Sequence, residues 1–121
     1  MEFCFLDALD LSKKIKNGEI SCKELIESCL ERTKKFETNI KAWAYIDKEY
    51  LLNRAKEADD LRVSGKPFGP LLGIPVGVKD IFATGDMPTE CGTELRKGRI
   101  TKRQELGLNE LNKFSYSLSL H

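Results

Sequence analysis

Between Phe68 and Asp80, three glycines and two prolines punctuate an apolar run, Phe-Gly-Pro-Leu-Leu-Gly-Ile-Pro-Val-Gly-Val-Lys-Asp. Ile74, Val76 and Val78 fall on one face of a strand, and Pro75, Gly77 and Lys79 on the other. Pro75 cannot donate to a ladder, so it belongs near the strand's start or on an unpaired side. The pattern therefore predicts a lysine at the end of a buried strand, beside a residue with no side chain. Gly77 leaves room for another group to approach Lys79 closely.

Upstream of that segment the periodicity is helical. A first helix is expected from about Asp7 to Asn17, with Ala8, Leu11 and Ile15 on one face and Asn17-Gly18 as its stop. A second opens at Ser21, where Ser-Cys-Lys-Glu forms a capping box. Its stripe is Cys22, Leu25, Ile26, Cys29 and Leu30, and it is expected to fray near Lys34-Lys35. Ala42-Trp43-Ala44-Tyr45-Ile46 is short and aromatic and reads as a strand. Asp47 caps a third helix carrying Leu51, Ala55, Ala58 and Leu61, which Gly65 and Pro67 end. Helices leading into strands predict an α/β fold.

With 121 residues the chain holds one small domain, and 20 Lys and Arg against 19 Asp and Glu imply neither a polyanion partner nor a membrane surface. Between Arg96 and Lys113 six basic residues face two acidic ones. No aromatic platform interleaves them, so a solvated tail is preferred to a nucleic-acid site. Four cysteines do not make a disulfide framework, since Cys22 and Cys29 are about 10 Å apart along one helix. There is no Cys-x-x-Cys pair and the one histidine is His121, so no metal site and no cofactor are expected. Reduced cysteines and the absence of a signal-peptide pattern at Met1-Glu2-Phe3-Cys4 point to a cytoplasmic chain. The longest apolar stretch, Leu71 to Val78, is too short to span a bilayer.

The segment Gly69-Pro70-Leu71-Leu72-Gly73-Ile74-Pro75-Val76-Gly77-Val78-Lys79-Asp80 resembles the Gly-Pro-Leu-x-Gly-Ile-Pro-x-x-Val-Lys-Asp stretch of amidase-signature enzymes. Asp86-Met87-Pro88-Thr89-Glu90-Cys91-Gly92 is similar to the segment that follows that family's lysine. The resemblance spans roughly Leu6 to Ile100. It implies the N-terminal helices and first strands of the amidase-signature mixed-sheet fold, in incomplete form. Residues 1–100 are thus expected to be the N-terminal part of that domain, and 101–121 a divergent tail.

The resemblance also implies a mechanism. A serine nucleophile, a second serine in a cis peptide bond and a lysine cleave amide C–N bonds through an acyl-enzyme, with the lysine as general base. By position Lys79 is that lysine, and small-molecule amides are the implied substrates. The family's two serines lie in a Gly/Ser-rich stretch downstream, for which this sequence has no counterpart. Phe114, Tyr116, Leu118 and Leu120 alternate with serines as a half-buried strand would. An out-of-frame or early-terminated end also fits that tail and is the preferred reading.

A lysine at its ordinary pKa of about 10.4 is a poor base at neutral pH, and burial lowers that value. A strand end in apolar surroundings suits the role, but the base alone transfers no acyl group. The expectation is a chain inactive by itself. Three functions compete: a piece of a carboxamide hydrolase, a piece of a tRNA-dependent amidotransferase's A chain, and a non-catalytic docking module. The wording of 86–92 and the presence of Ile81 favour the first. The third rests on Leu25, Ile26, Leu51 and the Ile74–Val78 strand, which would expose an apolar face and call for an oligomer or a complementing chain. Asp80 is read as a turn former first and as a group that orients Lys79 or the local backbone second, and Gly73 and Gly77 as backbone requirements. Met87 and Cys91 are read as buried in preference to lining a substrate channel, and Trp43 and Tyr45 as core or interface residues in preference to a recognition platform.

Overall fold

The computed structural model describes residues 2–102 and the backbone of 118–120. After a short 3-10 turn at Phe3–Phe5 come α1 (Ala8–Lys16), α2 (Cys22–Ile40) and α3 (Lys48–Val63), then β1 (Pro75–Gly77) and β2 (Leu118–Leu120). The two strands pair in parallel, Pro75 opposite Leu118 and Gly77 opposite Leu120. This is the α/β arrangement expected.

Each helix begins where a side chain receives its orphan amides. Asp7 accepts from the Asp10 N–H at 2.8 Å, and Asp47 from that of Tyr50 at 2.9 Å. At α2 the capping box closes in both directions. The Glu24 carboxylate accepts from the Ser21 N–H at 2.8 Å, and Ser21 Oγ accepts from the Glu24 N–H at 3.1 Å. The Ser21 amide, reinforced by its hydroxyl, holds the Glu24 carboxyl below its ordinary range. A second cap on α2 comes from α3: the Asp59 carboxylate accepts from Cys22 N–H at 2.8 Å and Lys23 N–H at 3.1 Å. That tie fixes the two helices end to side.

The core lies where α1, α2 and α3 meet the Leu72–Ile74 turn. Leu11, Ile15, Ile20, Cys22, Leu25, Ile26, Leu51, Ala55, Ala58, Leu72 and Ile74 form one buried cluster. Ala55 and Ala58 are fully buried, and their small size lets α3 approach α2. Burial, with the nearby Asp59 carboxylate, pushes the Cys22 thiol up to about 12. All four cysteines are free.

Three expectations differ from the structure. The second helix does not fray at Lys34-Lys35 but continues to Ile40 and stops at Lys41, which is left-handed at φ 52°. The residues past Lys35 include no helix breaker, and Arg32 lies 4.5 Å from the ring of Phe36 one turn on. Ala42–Ile46 is not a strand. Its Trp43 N–H is taken by the Glu37 carboxylate at 2.8 Å, and no ladder partner meets it among the described residues. Finally, Leu25, Ile26, Leu51, Ile74 and Val78 are not an exposed face but buried. The first four belong to the cluster that the helices enclose, Val78 is buried outside that cluster, and Val76 of the expected strand is half-buried.

Of the alternating 114–120 segment, Leu118–Leu120 forms β2, while Phe114 and Tyr116 lie outside the described residues. Among the described residues no helix is long and apolar enough to cross a membrane.

Candidate active site

Lys79 follows β1 by two positions, and the turn after it is closed by its own backbone. The Lys79 carbonyl accepts from the N–H of Ile81 at 2.7 Å and of Phe82 at 3.1 Å. Val78 is buried at 7% exposure and anchors the strand end, whereas Lys79 is exposed. The strand expected to be buried is so only at its flanks, Ile74 and Val78, while Pro75 and Val76 are half-buried and Gly77 is exposed. The strand is only three residues long, and its Lys79 side faces an open cleft of about 560 Å³.

Three stretches of chain line that cleft: Ala42–Ala44, Gly77–Ile81 and Cys91-Gly92. The group that Gly77 admits is the indole of Trp43. A Cβ at Gly77 would stand 3.2 Å from Trp43 Cη2. The irregular Ala42–Ile46 segment thus serves as one wall, with the half-buried Trp43 packed over the strand.

The opposite wall is held by Asp80. Its carboxylate accepts from the Glu90 N–H at 2.8 Å, and its carbonyl accepts from the Cys91 N–H at 2.9 Å. Asp80 is thus more than a turn former: it orders the backbone facing Lys79. Cys91 and Gly92 are both left-handed, at φ 54° and 68°. That pair of residues turns the chain back toward the strand. Arg96 Nη1 lies 3.2 Å from Cys91 Sγ.

A set of hydroxyl and carboxylate contacts staples the rest of the loop. Thr84 and Thr89, 1% and 2% exposed, are the buried polar residues here. Thr89 Oγ1 donates to the Phe82 carbonyl at 3.1 Å, and the Thr89 N–H to the Arg99 carbonyl at 2.8 Å. The Glu90 carboxylate accepts from Gly98 N–H at 2.5 Å. Tyr50 on α3 donates to Asp86 at 2.6 Å, tying this loop to the helices. Burial, then the bond to Asp86 and its charge, pushes the Tyr50 phenol up to about 12. Met87 is buried, while Cys91 is half-exposed on the cleft wall, so the packing reading suits the first better than the second.

Chemically, the cleft offers an exposed amine at Lys79, a thiol at Cys91 and a carboxylate at Asp80 that is already engaged. None of the described residues lining it carries a hydroxyl. Among the described residues no three His, Cys, Asp or Glu side chains converge as a metal site would require. A larger groove of about 1060 Å³ runs along α2 past Trp43, but the Phe68–Asp80 segment contributes nothing to it. Tyr50, Thr84, Thr89 and Asp59 are structural supports with no mark in the sequence pattern. Their partners lie on other elements or within irregular backbone, which leaves no periodic trace.

Comparison with known proteins falls on the same segment. A family model described as Amidase matches residues 24–113. The A chain of the glutamyl-tRNA(Gln) amidotransferase of Staphylococcus haemolyticus is 32% identical over 102 residues, covering 84% of this chain and 21% of that protein. Its counterpart in Natranaerobius thermophilus is 36% identical over 90 residues, covering 74% and 18%. The structure of a fatty acid amide hydrolase superposes with a TM-score of 0.87 at 25% identity, over 98% of this chain and 21% of that one. The chain spans about a fifth of the length of the curated relatives it matches.

Proposed function

This chain belongs to the amidase family, and on that premise we propose that it supplies Lys79 as the general base of a Ser–cis-Ser–Lys site that cleaves amide C–N bonds. The observation that supports this reading is the setting of Lys79. It stands at the end of β1, on an open cleft whose two other walls are fixed by Trp43 against Gly77 and by Asp80 against Glu90 and Cys91.

The base is half of a machine. In serine–lysine chemistry the lysine takes the proton of a hydroxyl nucleophile as that oxygen attacks the carbonyl, and returns a proton to the departing amine. Among the described residues the cleft lining offers no such hydroxyl. Lys79 is also exposed, so the apolar cover that favours a neutral amine has to come from a group that closes the cleft. Both requirements point to a site completed by further polypeptide, with a small carboxamide as substrate.

A second reading has its own support. The curated relatives are named as glutamyl-tRNA(Gln) amidotransferase components, which favours ammonia transfer onto a misacylated tRNA over simple hydrolysis. Both readings use Lys79 in the same role and differ in the acceptor of the reaction. Four free thiols support a cytoplasmic setting for either.

The 121 residues by themselves are expected to be inert. A fluorophosphonate probe should leave the purified chain unlabelled, and carboxamide hydrolysis should equal the buffer blank. Stoichiometric labelling of any serine would overturn the incomplete-site reading.

A further inference from the structure

We propose that Cys4 and Cys29 form a redox pair, which a small disulfide oxidant closes into a reversible bond tethering the Phe3–Phe5 turn to α2. The proposal is independent of the Lys79 reading. Both thiols are free and half-buried in the structure.

Packing brings the two residues together. The Phe3–Phe5 turn runs within 8 Å of α2, Cα to Cα. Phe3 and Cys29 pack against the same core cluster. Two flanking contacts fix how the turn is seated. The Arg32 guanidinium lies 4.4 Å from the centre of the Phe5 ring and 4.5 Å from that of Phe36. Its Nη1 stands 3.5 Å from the Glu2 carboxylate. Cys29 precedes Arg32 by one helical turn and shares its face of α2. Cys4 sits between the Glu2 and Phe5 anchors. Its turn is closed by the Phe5 N–H on the Glu2 carbonyl at 3.2 Å and the Leu6 N–H on the Phe3 carbonyl at 3.0 Å. The two sulfurs also sense each other: burial, and then the charge of Cys4, pushes the Cys29 thiol up to about 11.

The other two cysteines are placed to stay out of the reaction. Cys22 is fully buried at the start of α2, against Gly73. Cys91 lies on the wall of the Lys79 cleft with Arg96 beside it. The chemistry is ordinary thiol–disulfide exchange. With oxidised glutathione as the oxidant, the Cys4 thiol gives up its proton to water and its sulfur attacks one sulfur of the glutathione disulfide. That releases the first glutathione as a thiolate. Cys29, which burial keeps protonated, then loses its proton to solvent base and displaces the second glutathione from Cys4. Two protein thiols are oxidised and one glutathione disulfide is reduced to two thiols. The new bond closes a loop containing the whole of α1, whose Leu11 and Ile15 belong to the core. Closing such a loop restricts the unfolded chain, so the oxidised form is the more stable one.

The test treats the reduced full chain with oxidised glutathione, removes the reagent, and maps its peptides without reduction. Cys4 and Cys29 should appear in one crosslinked pair within a monomer, with Cys22 and Cys91 still free. The melting midpoint should rise by at least about 5 °C and return on adding dithiothreitol. Cys4→Ser and Cys29→Ser should each abolish the crosslink and the shift, while Cys91→Ser should keep both. Melts under reducing conditions check that the variants fold, and Cys4→Ser, at the half-exposed turn, decides the matter if Cys29→Ser does not. A stable glutathione adduct on Cys4, pairing with Cys22 or Cys91, a crosslink between chains, or a crosslink that leaves the midpoint unchanged would each overturn the proposal.

Discussion

Gly73 is the position where one added carbon does most harm. Its φ of 74° lies in the left-handed region, and a Cβ there would meet Cys22 Sγ and stand 2.8 Å from Cys22 Cβ. Cys22 is fully buried at the start of α2, so neither side can give way. Backbone strain and overpacking act together, and Gly73→Ala should lose about 2–5 kcal/mol of unfolding free energy. Urea titration monitored by circular dichroism measures it; a midpoint equal to wild type would show that this turn relaxes freely. Gly77 works differently, because its φ is not in the left-handed region and the limit is the face of Trp43. The sequence marked both glycines as backbone requirements, and in each case the group that comes close was invisible. Cys22 and Trp43 are distant in the chain and carry no local pattern that pairs them with a glycine.

Among the elements, the helices were the legible part. Capping residues Asp7, Ser21 and Asp47 state where each helix starts, because an orphan N–H must find an acceptor within three residues. The irregular walls of the cleft were not legible, since their hydrogen bonds join residues far apart in the chain, as Asp80 to Glu90 does. The Ala42–Ile46 segment reads as a strand from its aromatic composition, yet strand formation depends on a neighbour that composition does not specify. The Tyr50–Asp86 bond is the link between the two kinds of region, joining α3 to the stapled loop. The phenol ionises near 10 when free and at about 12 when folded. The folded state therefore holds this proton more tightly, so its contribution is complete below about pH 10 and fades as pH rises toward 12. Between about pH 9 and pH 11.5, stability should fall further in the wild type than in Tyr50→Phe. Equal falls would mean that this bond does not couple helix and loop.

At the scale of the whole molecule, the described residues form a helical core attached to an edge that carries Lys79 and its cleft. The core satisfies itself: its caps are made, one apolar cluster is buried, and α2 and α3 are tied by Asp59. The edge does not, for Lys79 is exposed and the loop beyond it presents Phe82 and Leu95 to water. This contrast explains how family membership was readable from one ordered stretch, Gly69 to Asp80, while the chemistry of the complete site was not. The motif specifies the backbone that carries Lys79; on the proposed reading, desolvation and a nucleophile come from whatever packs against it.

Whether Lys79 acts as a base can be tested in a single-chain chimera. Residues 24–100 of this protein, which fall within the family match, would replace the corresponding segment of the Natranaerobius thermophilus relative. Hydrolysis of a chromogenic carboxamide would then be compared between that chimera and its Lys79→Met variant. If Lys79 is the general base, the chimera is active and its kcat falls at least about a hundredfold on substitution, with the fold retained. A Lys79→Met chimera as active as its parent would contradict it.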